Sequence, residues 1–284
     1  MHTPIGAFSR RAVLGGAGAL TLKSVLADGI YNPTGSAVSS VSVTAPVEQF
    51  FDRIVQLPSP TDQATYGTLI NGLVSDGVWS SLDVLLVLAA PSAGVACTNL
   101  ISSSFQPSFS DAEPTFTAYH GISTGGSVSY LNTNFNPSTA GGNYVRNSGM
   151  LGAWNLTTTA FAGALIRSIA DVSSEIWPKD SGNMFWMVNS ASEDSASNPN
   201  DASGWFVANR TGTAVTAAYR NNVQLGTSAT VSVAPENNSL ICGYGVTSSV
   251  WTMAAFAIGA GLSTSHLTAL YSRLSACLTT FGAI

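Results

Sequence analysis

The chain has 284 residues, of which 45% are apolar and only 9% are charged, with a formal net charge of −5. This is enough for one large β-sandwich with an N-terminal accessory region, under a surface that must be mostly neutral and polar. No basic stripe alternates with aromatic residues, which excludes the electrostatic footprint of nucleic-acid binding.

Residues 1–45 differ in composition from the rest of the chain. The stretch Ser9-Arg10-Arg11 leads into a glycine-rich apolar run, which resembles a twin-arginine export signal. Thr21 and Lys23 interrupt this run, which is too short to span a bilayer. The alternative is an extended arm that packs onto a neighbouring subunit or a larger particle. Both interpretations stay open, and the arm is preferred.

Residues 46–82 have the apolar spacing of two short amphipathic helices. Thr61 or Asp62 can cap the second helix, whose apolar residues recur at i, i+3, i+4 and i+7. Between the helices lies Leu57-Pro58-Ser59-Pro60, where proline prevents helix continuation. We therefore expect a helical linker or attachment region.

From residue 83 to residue 284, short β-type runs alternate with turn residues such as Asp180-Ser181-Gly182 and Asn221-Asn222. The pattern predicts a mainly β fold, an antiparallel two-sheet β-sandwich of jelly-roll type, with short N-terminal helices and a C-terminal helix capped by Ser263. The polar stretch Ser190–Ser203 is predicted to be a surface loop. The predicted strands are Val84–Ala90, Thr115–Tyr119, Ser127–Leu131, Met150–Leu156, Ala162–Ile169, Met184–Asn189, Gly204–Asn209, Val215–Arg220, Ala229–Val233, Leu240–Gly243 and Trp251–Ile258.

Two ordered sets of motifs carry a resemblance to known families. The C-terminal set comprises Tyr219–Val223, Leu240–Gly243, Met253–Gly259 and Gly261–Tyr271. It resembles the closing half of concanavalin A-like, laminin-G-like lectin domains. The front set comprises Tyr66–Trp79, Leu85–Pro91 and Tyr130–Pro137, and it resembles domains of phage and prophage structural proteins. This likeness over residues 61–281 implies a concanavalin A-like sandwich of the kind found in tail fibres and head spikes, which binds cell-surface glycans or serves as decoration.

The sequence favours a binding protein over an enzyme. A glycoside hydrolase needs two carboxylates across one cleft, whereas the nearby carboxylates lie in stretches interpreted as loops or strand ends and are interpreted as solvated. The pairs are Asp111 with Glu113, Asp171 with Glu175, and Glu193 with Asp194. No G-x-S-x-G elbow precedes a helix, and His120 and His266 are interpreted as structural.

Aromatic residues offer another route to sugar binding. Trp177 lies beside a proline and charged residues, which argues for exposure, so Trp177, Asp180 and Asn183 form a candidate carbohydrate-binding patch. A simple loop anchor is the alternative role. The strand patterns predict that the other tryptophans of the β region belong to the core: Trp154, Trp186, Trp205 and Trp251.

Metal and thiol chemistry find little support. Asp194 and Asp201, with Asn198 and Asn200, are the best oxygen-rich cluster for a possible calcium ion, and a mobile polar loop is the alternative. No other cofactor is predicted. The three cysteines lack CxxC spacing, which favours buried reduced thiols over disulfides or zinc.

The preferred hypothesis is a virion structural protein of a tailed phage or related particle. Residues 1–60 would contact other virion proteins, and a homo-oligomer, with a trimer favoured, would present the sandwich to a cell-surface glycan with high avidity. No membrane span is predicted. The alternative is an exported bacterial glycan-binding protein in the periplasm or outside the cell, and a glycoside hydrolase is the third hypothesis.

Overall fold

A computed structural model describes residues 44–110, 112, 114–125, 128–159, 163–168, 170, 172–245 and 250–284. The predicted arm or export signal therefore lies almost entirely outside the described residues. So do three carboxylates named above, which are Asp111, Glu113 and Asp171.

The described strands form two antiparallel sheets. In chain order they are β1 Leu82–Val87, β2 Ser108–Phe109, β3 Thr115–Thr117, β4 Gly121–Gly125, β5 Leu131–Asn132, β6 Gly149–Asn155, β7 Gly163–Ser168, β8 Glu175–Asp180, β9 Asn183–Met187, β10 Asp194–Ser197, β11 Gly204–Gly212, β12 Val215–Arg220, β13 Val223–Ser228, β14 Leu240–Gly245 and β15 Val250–Gly259. The first sheet has the order β13-β12-β11-β6-β15-β4-β3, and β1 also pairs with β15. The second sheet has the order β10-β9-β8-β7-β14-β5-β2. These two sheets, with the helices described next, confirm the predicted fold class.

Four α-helices accompany the sheets in the described part of the chain. They are α1 Ala45–Phe51, α2 Pro60–Ser75, α3 Ala93–Ala96 and α4 Thr264–Thr280, and a 3-10 turn covers Trp79–Ser81. As predicted, Ser263 caps α4, since its Oγ accepts a hydrogen bond from the His266 amide at 3.3 Å. The predicted cap of α2 was wrong: Ser59 accepts from the Asp62 amide, because Pro60 needs no amide partner in the first turn.

The core lies between the two sheets and beneath the helices. Trp186 and Trp251 are fully buried, and the Trp186 indole donates to the Thr216 hydroxyl of the first sheet at 3.4 Å. Trp154 of β6 pairs with Trp205 of β11 and stacks on Tyr271 of α4 at 5.6 Å between ring centroids. The prediction that all four tryptophans belong to the core is confirmed.

Two-residue turns set the registers of two hairpins. Ser181 and Gly182 have φ of 50° and 86° between β8 and β9, and Asn221 and Asn222 have φ of 47° and 64° between β12 and β13. Positive φ at both central positions matches the twist of the flanking strands. Both predicted turns are confirmed.

Two strand predictions and one loop prediction were wrong. Residues 128–130 are not a strand; β4 forms earlier, where Gly121 lets β15 approach so closely that an added Cβ would lie 2.1 Å from the Met253 carbonyl oxygen. Ala229–Val233 contributes only a bridge at Ser232. The strand of this region is β13, which begins directly after the turn at Asn221 and Asn222 and ends before Ala229. The predicted loop Ser190–Ser203 contains β10, a polar edge strand held by main-chain pairing with β9.

All three cysteines are free thiols; Cys242 and Cys277 are buried, as predicted, whereas Cys97 is half-buried. Burial raises the pKa of Cys97 to about 11 and that of Cys277 to about 12. A protonated thiol is a poor nucleophile and a poor metal ligand, so these residues act as small apolar side chains.

Candidate functional site

The outer face of the second sheet gathers aromatic and charged side chains. Cross-strand pairing sets Arg167 opposite Glu175, and Trp177 opposite Phe185. Since residues i and i+2 of a strand share a face, Glu175 and Trp177 lie side by side on β8. The intervening Ile176 is fully buried and points to the core. We call the surface formed by Arg167, Glu175, Trp177, Glu193 and Tyr244 the second-sheet patch.

The three residues predicted to bind carbohydrate lie on the β8-β9 hairpin. Trp177 pairs with Phe185 and Asp180 pairs with Asn183, with an irregularity in β8 between these pairs. The irregularity is one extra residue in β8, and the segment that holds it contains Pro178. Proline occurs in strands mainly at bulges of this kind. The register therefore places Trp177, Asp180 and Asn183 on one face of the hairpin.

The expectation that Trp177 lies in an exposed loop was wrong. Trp177 is partly buried in β8, and its Nε1 donates a hydrogen bond to the Glu175 Oε2 at 2.9 Å. This bond fixes the indole at the edge of the patch. Part of the ring remains accessible to solvent.

Glu175 was also wrongly interpreted as a solvated surface carboxylate, since only 4% of its surface is exposed. Burial raises its pKa from 4.5 to about 7, and a hydrogen bond with the Glu193 carboxyl acts in the same direction. The Trp177 indole and the charge of Arg167 lower the pKa and partly offset this rise. At weakly acidic pH, Glu175 therefore keeps its proton.

The structure thus pairs different carboxylates from those that adjacency in sequence suggests. Asp194 pairs with Trp186, so Glu193 comes opposite Met187 of β9. Met187 also pairs with Glu175, and Glu193 therefore lies across β9 from Glu175. Asp194 instead accepts hydrogen bonds from the hydroxyls of Thr216 and Thr230, at 3.1 and 2.6 Å.

A stacked cation forms the other side of the patch. The Arg167 guanidinium lies 4.8 Å from the centroid of the Tyr244 ring. Its Nε donates to the backbone carbonyl of Ser168 at 3.0 Å, which holds the guanidinium plane in place. Both side chains remain partly exposed. A held guanidinium and a phenol are donors that suit hydroxyl and carboxylate ligands.

Both aspartates of the calcium prediction are engaged elsewhere. Asp201 accepts hydrogen bonds from Ser203 and forms an ion pair with Arg220 at 2.7 Å. Asn198 is fully buried and donates to the Pro178 carbonyl at 2.8 Å. Within the ranges that the structure describes, no three acidic, histidine or cysteine side chains are grouped to hold a metal ion. The calcium site stays a prediction.

The side chains of the patch are suited to ligand recognition. Retaining glycosidases hold their two carboxyl groups about 5–5.5 Å apart and inverting enzymes about 6.5–9.5 Å apart. Glu193 raises the pKa of Glu175, so the two carboxyl groups are neighbours on this face. An indole, a phenol, carboxyl groups and a guanidinium on one face suit a ligand with a flat apolar side and a polar rim.

Sequence reasoning missed Arg167 and Tyr244 as site residues, since they come from β7 and β14, whose neighbours in the sheet are distant in sequence. Glu175 could have been predicted as a site residue from the sequence. Assigning residues 175–180 to a strand would have placed Glu175 and Trp177 on one face by simple alternation.

Comparison with solved structures shows similarity to β-sandwich domains. The ligand-binding domain of botulinum neurotoxin serotype D, in complex with N-acetylneuraminic acid, superposes with a TM-score of 0.51 at 13% identity over 71% of this chain and 52% of that chain. The receptor-binding domain of the botulinum neurotoxin C/D mosaic serotype gives 0.51 at 12% identity, over 68% and 51%. The chain thus spans about half the length of these structures, and the likeness concerns the fold alone. No protein-family model and no curated protein matches the chain.

Proposed function

We propose that the chain is a non-enzymatic carbohydrate-binding protein whose contact surface is the second-sheet patch. The observation that carries the proposal is the partly exposed Trp177 indole, fixed by its 2.9 Å hydrogen bond to Glu175. The apolar face of a sugar ring packs on such an indole, while carboxyl and guanidinium groups bond its hydroxyls. A neurotoxin domain of similar fold, solved in complex with N-acetylneuraminic acid, supports carbohydrate binding as the proposed function.

Arg167 makes an acidic sugar a suitable ligand. Its guanidinium is stacked and partly exposed, and such a group can bond a carboxylate in bidentate fashion. At weakly acidic pH Glu175 is protonated, which reduces its repulsion of an anion. We therefore expect binding of carboxylate-bearing glycans to strengthen as pH falls from about 7 to about 5.

A glycan array probed with the full chain tests this function. Trp177→Ala should reduce binding at least ten-fold, because the stacking surface disappears. The matched control is Trp79→Ala, which removes another partly buried indole that lies outside the patch. Equal binding by wild type and Trp177→Ala, or no binding to any glycan, would contradict the proposal.

The absence of catalysis is part of the proposal. The Trp177 indole supports it, since its hydrogen bond engages the Glu175 carboxyl that either hydrolytic mechanism would need. Release of reducing ends from an array-positive polysaccharide is the measurement. Sustained release by wild type that is lost in Glu175→Gln would replace this proposal with a hydrolase.

The proposed setting is an appendage of a tailed phage or related particle, with a concanavalin A-like sandwich directed outwards. It rests on the ordered motifs described above, and includes attachment through residues 1–60 and a trimeric assembly. Symmetric copies of the full-length chain on purified particles would support this setting. A native chain that lacks residues 1–27 and is found free outside the cytoplasm would instead support the exported protein.

A further inference from the structure

The first sheet carries a second cleft on its own outer face. It opens where β11, β12 and β13 meet the segment that leads into α4, and its volume is about 540 Å³. That volume lies within the range of small-ligand sites, about 300–1,000 Å³. We call it the first-sheet cleft, and it shares no residue with the second-sheet patch.

The walls of the first-sheet cleft are held in place before any ligand binds. The Asn209 side chain donates to the Leu262 carbonyl at 2.9 Å and accepts from the Leu262 amide at 2.8 Å. These two bonds tie the segment before α4 to the sheet. Tyr219, only 7% exposed, donates to the Gln224 Oε1 at 3.2 Å and fixes the opposite wall. A preformed cleft lowers the entropy cost of binding.

The polar groups of the cleft are all uncharged. None of its eleven lining residues is acidic or basic. The exposed hydroxyls of Thr211 and Thr227 lie in the lining, and the exposed Gln224 amide can still donate two hydrogen bonds once its oxygen has accepted from Tyr219. A charged ligand would lose hydration here without gaining an ion pair, whereas a hydroxyl-rich ligand would exchange water for matched partners.

From this we infer that the first-sheet cleft is a separate binding site for an uncharged oligosaccharide. The inference does not depend on the second-sheet patch, whose charged groups suit a different ligand. Two sites on opposite faces of one sandwich would let a single chain hold two glycan segments, with a gain in avidity that depends on their spacing.

The test is calorimetric titration of the full chain with four neutral hexasaccharides, namely malto-, cello-, manno- and chitohexaose. At least one should bind, with an affinity that does not change between 50 and 500 mM NaCl, because no charge pair contributes. Hexaethylene glycol is the matched control ligand, since it has similar length without ring hydroxyls. Equal binding of this ether would mean that the cleft recognises apolar surface and would overturn the inference.

The variant Gln224→Leu with Thr227→Val removes the free donors at exposed positions and should weaken hexasaccharide binding about ten-fold. Gln56→Leu with Thr61→Val makes the same changes at exposed positions near the start of α2 and should leave binding unchanged. If Trp177→Ala abolishes hexasaccharide binding and the cleft variant does not, the inference fails and the proposed function stands. If none of the four hexasaccharides binds while glycans on the array still do, the inference also fails and the proposed function also stands.

Discussion

Two tryptophans on the outer faces of the two sheets have different surroundings. Trp154 on the first sheet is 5% exposed, because α4 covers it and Tyr271 stacks on it with an interplanar angle of 3°. Trp177 on the second sheet is partly open to solvent, and its indole bonds a carboxylate instead of a second ring. The same residue type therefore packs beneath a helix on one sheet and stays partly exposed on the other.

The largest expected effect of a mutation lies on the covered face. Trp154→Ala removes the stacked ring and leaves a cavity under α4, so we expect a loss of about 3–5 kcal/mol in the free energy of unfolding. Urea denaturation followed by far-UV circular dichroism measures this loss. A cost below 1 kcal/mol would mean that α4 does not depend on this contact.

Overpacking of the same face is expected to cost less. A Cβ added at Gly152 would lie 2.5 Å from the Trp205 ring, so Gly152→Ala must displace a buried indole. We expect a loss of about 1–3 kcal/mol, from the same denaturation experiment. Gly182→Ala is an unsuitable control, because Gly182 has a positive φ; Gly125→Ala has open space around its Cβ and should cost little.

On the open face, stability should depend on pH through Glu175. Because its pKa is about 7 in the folded state and near 4.5 when unfolded, the folded chain holds an extra proton between these values. Stability should therefore fall as pH rises from about 4.5 to 7, with a contribution of at most about 1.4 kcal/mol per pH unit. Denaturation midpoints at pH 5 and pH 8 should show a smaller difference in Glu175→Gln than in wild type. An unchanged difference would contradict the buried, protonated carboxyl.

The smallest effect on stability is expected for Trp177→Ala. Part of this side chain is already in water, so its removal should cost about 1–2 kcal/mol, well below the cost of Trp154→Ala. Parallel denaturation of the two variants gives the comparison directly. Equal costs would place Trp177 in the core and remove the contrast between the two faces.

Local patterns were sufficient for several elements of the first sheet and its helices. Turn pairs such as Asn221-Asn222, the cap at Ser263 and the apolar spacing of α4 act locally, so their pattern predicted the elements correctly. The buried tryptophans also followed from their strand patterns. Local rules failed at β10, which has no alternation of apolar residues and joins the sheet through its backbone pairing with β9.

The patch was harder to predict, because its members come together only through sheet register. Glu193 meets Glu175 across β9, and Arg167 meets Tyr244 across neighbouring strands. Neither contact has a signature in local spacing. The predicted hairpin residues Trp177, Asp180 and Asn183 came near the site because they lie in one short segment.

The claim that Trp177 lies in a glycan-binding surface is tested most directly by NMR of the full chain with ¹⁵N-labelled indoles. On titration with the glycan that binds most tightly on the array, the Trp177 Nε1–H resonance, assigned with Trp177→Phe, should shift and saturate with the binding isotherm. The Trp154 resonance, beneath α4, should stay in place. Saturable glycan binding without any shift of the Trp177 resonance would contradict the account.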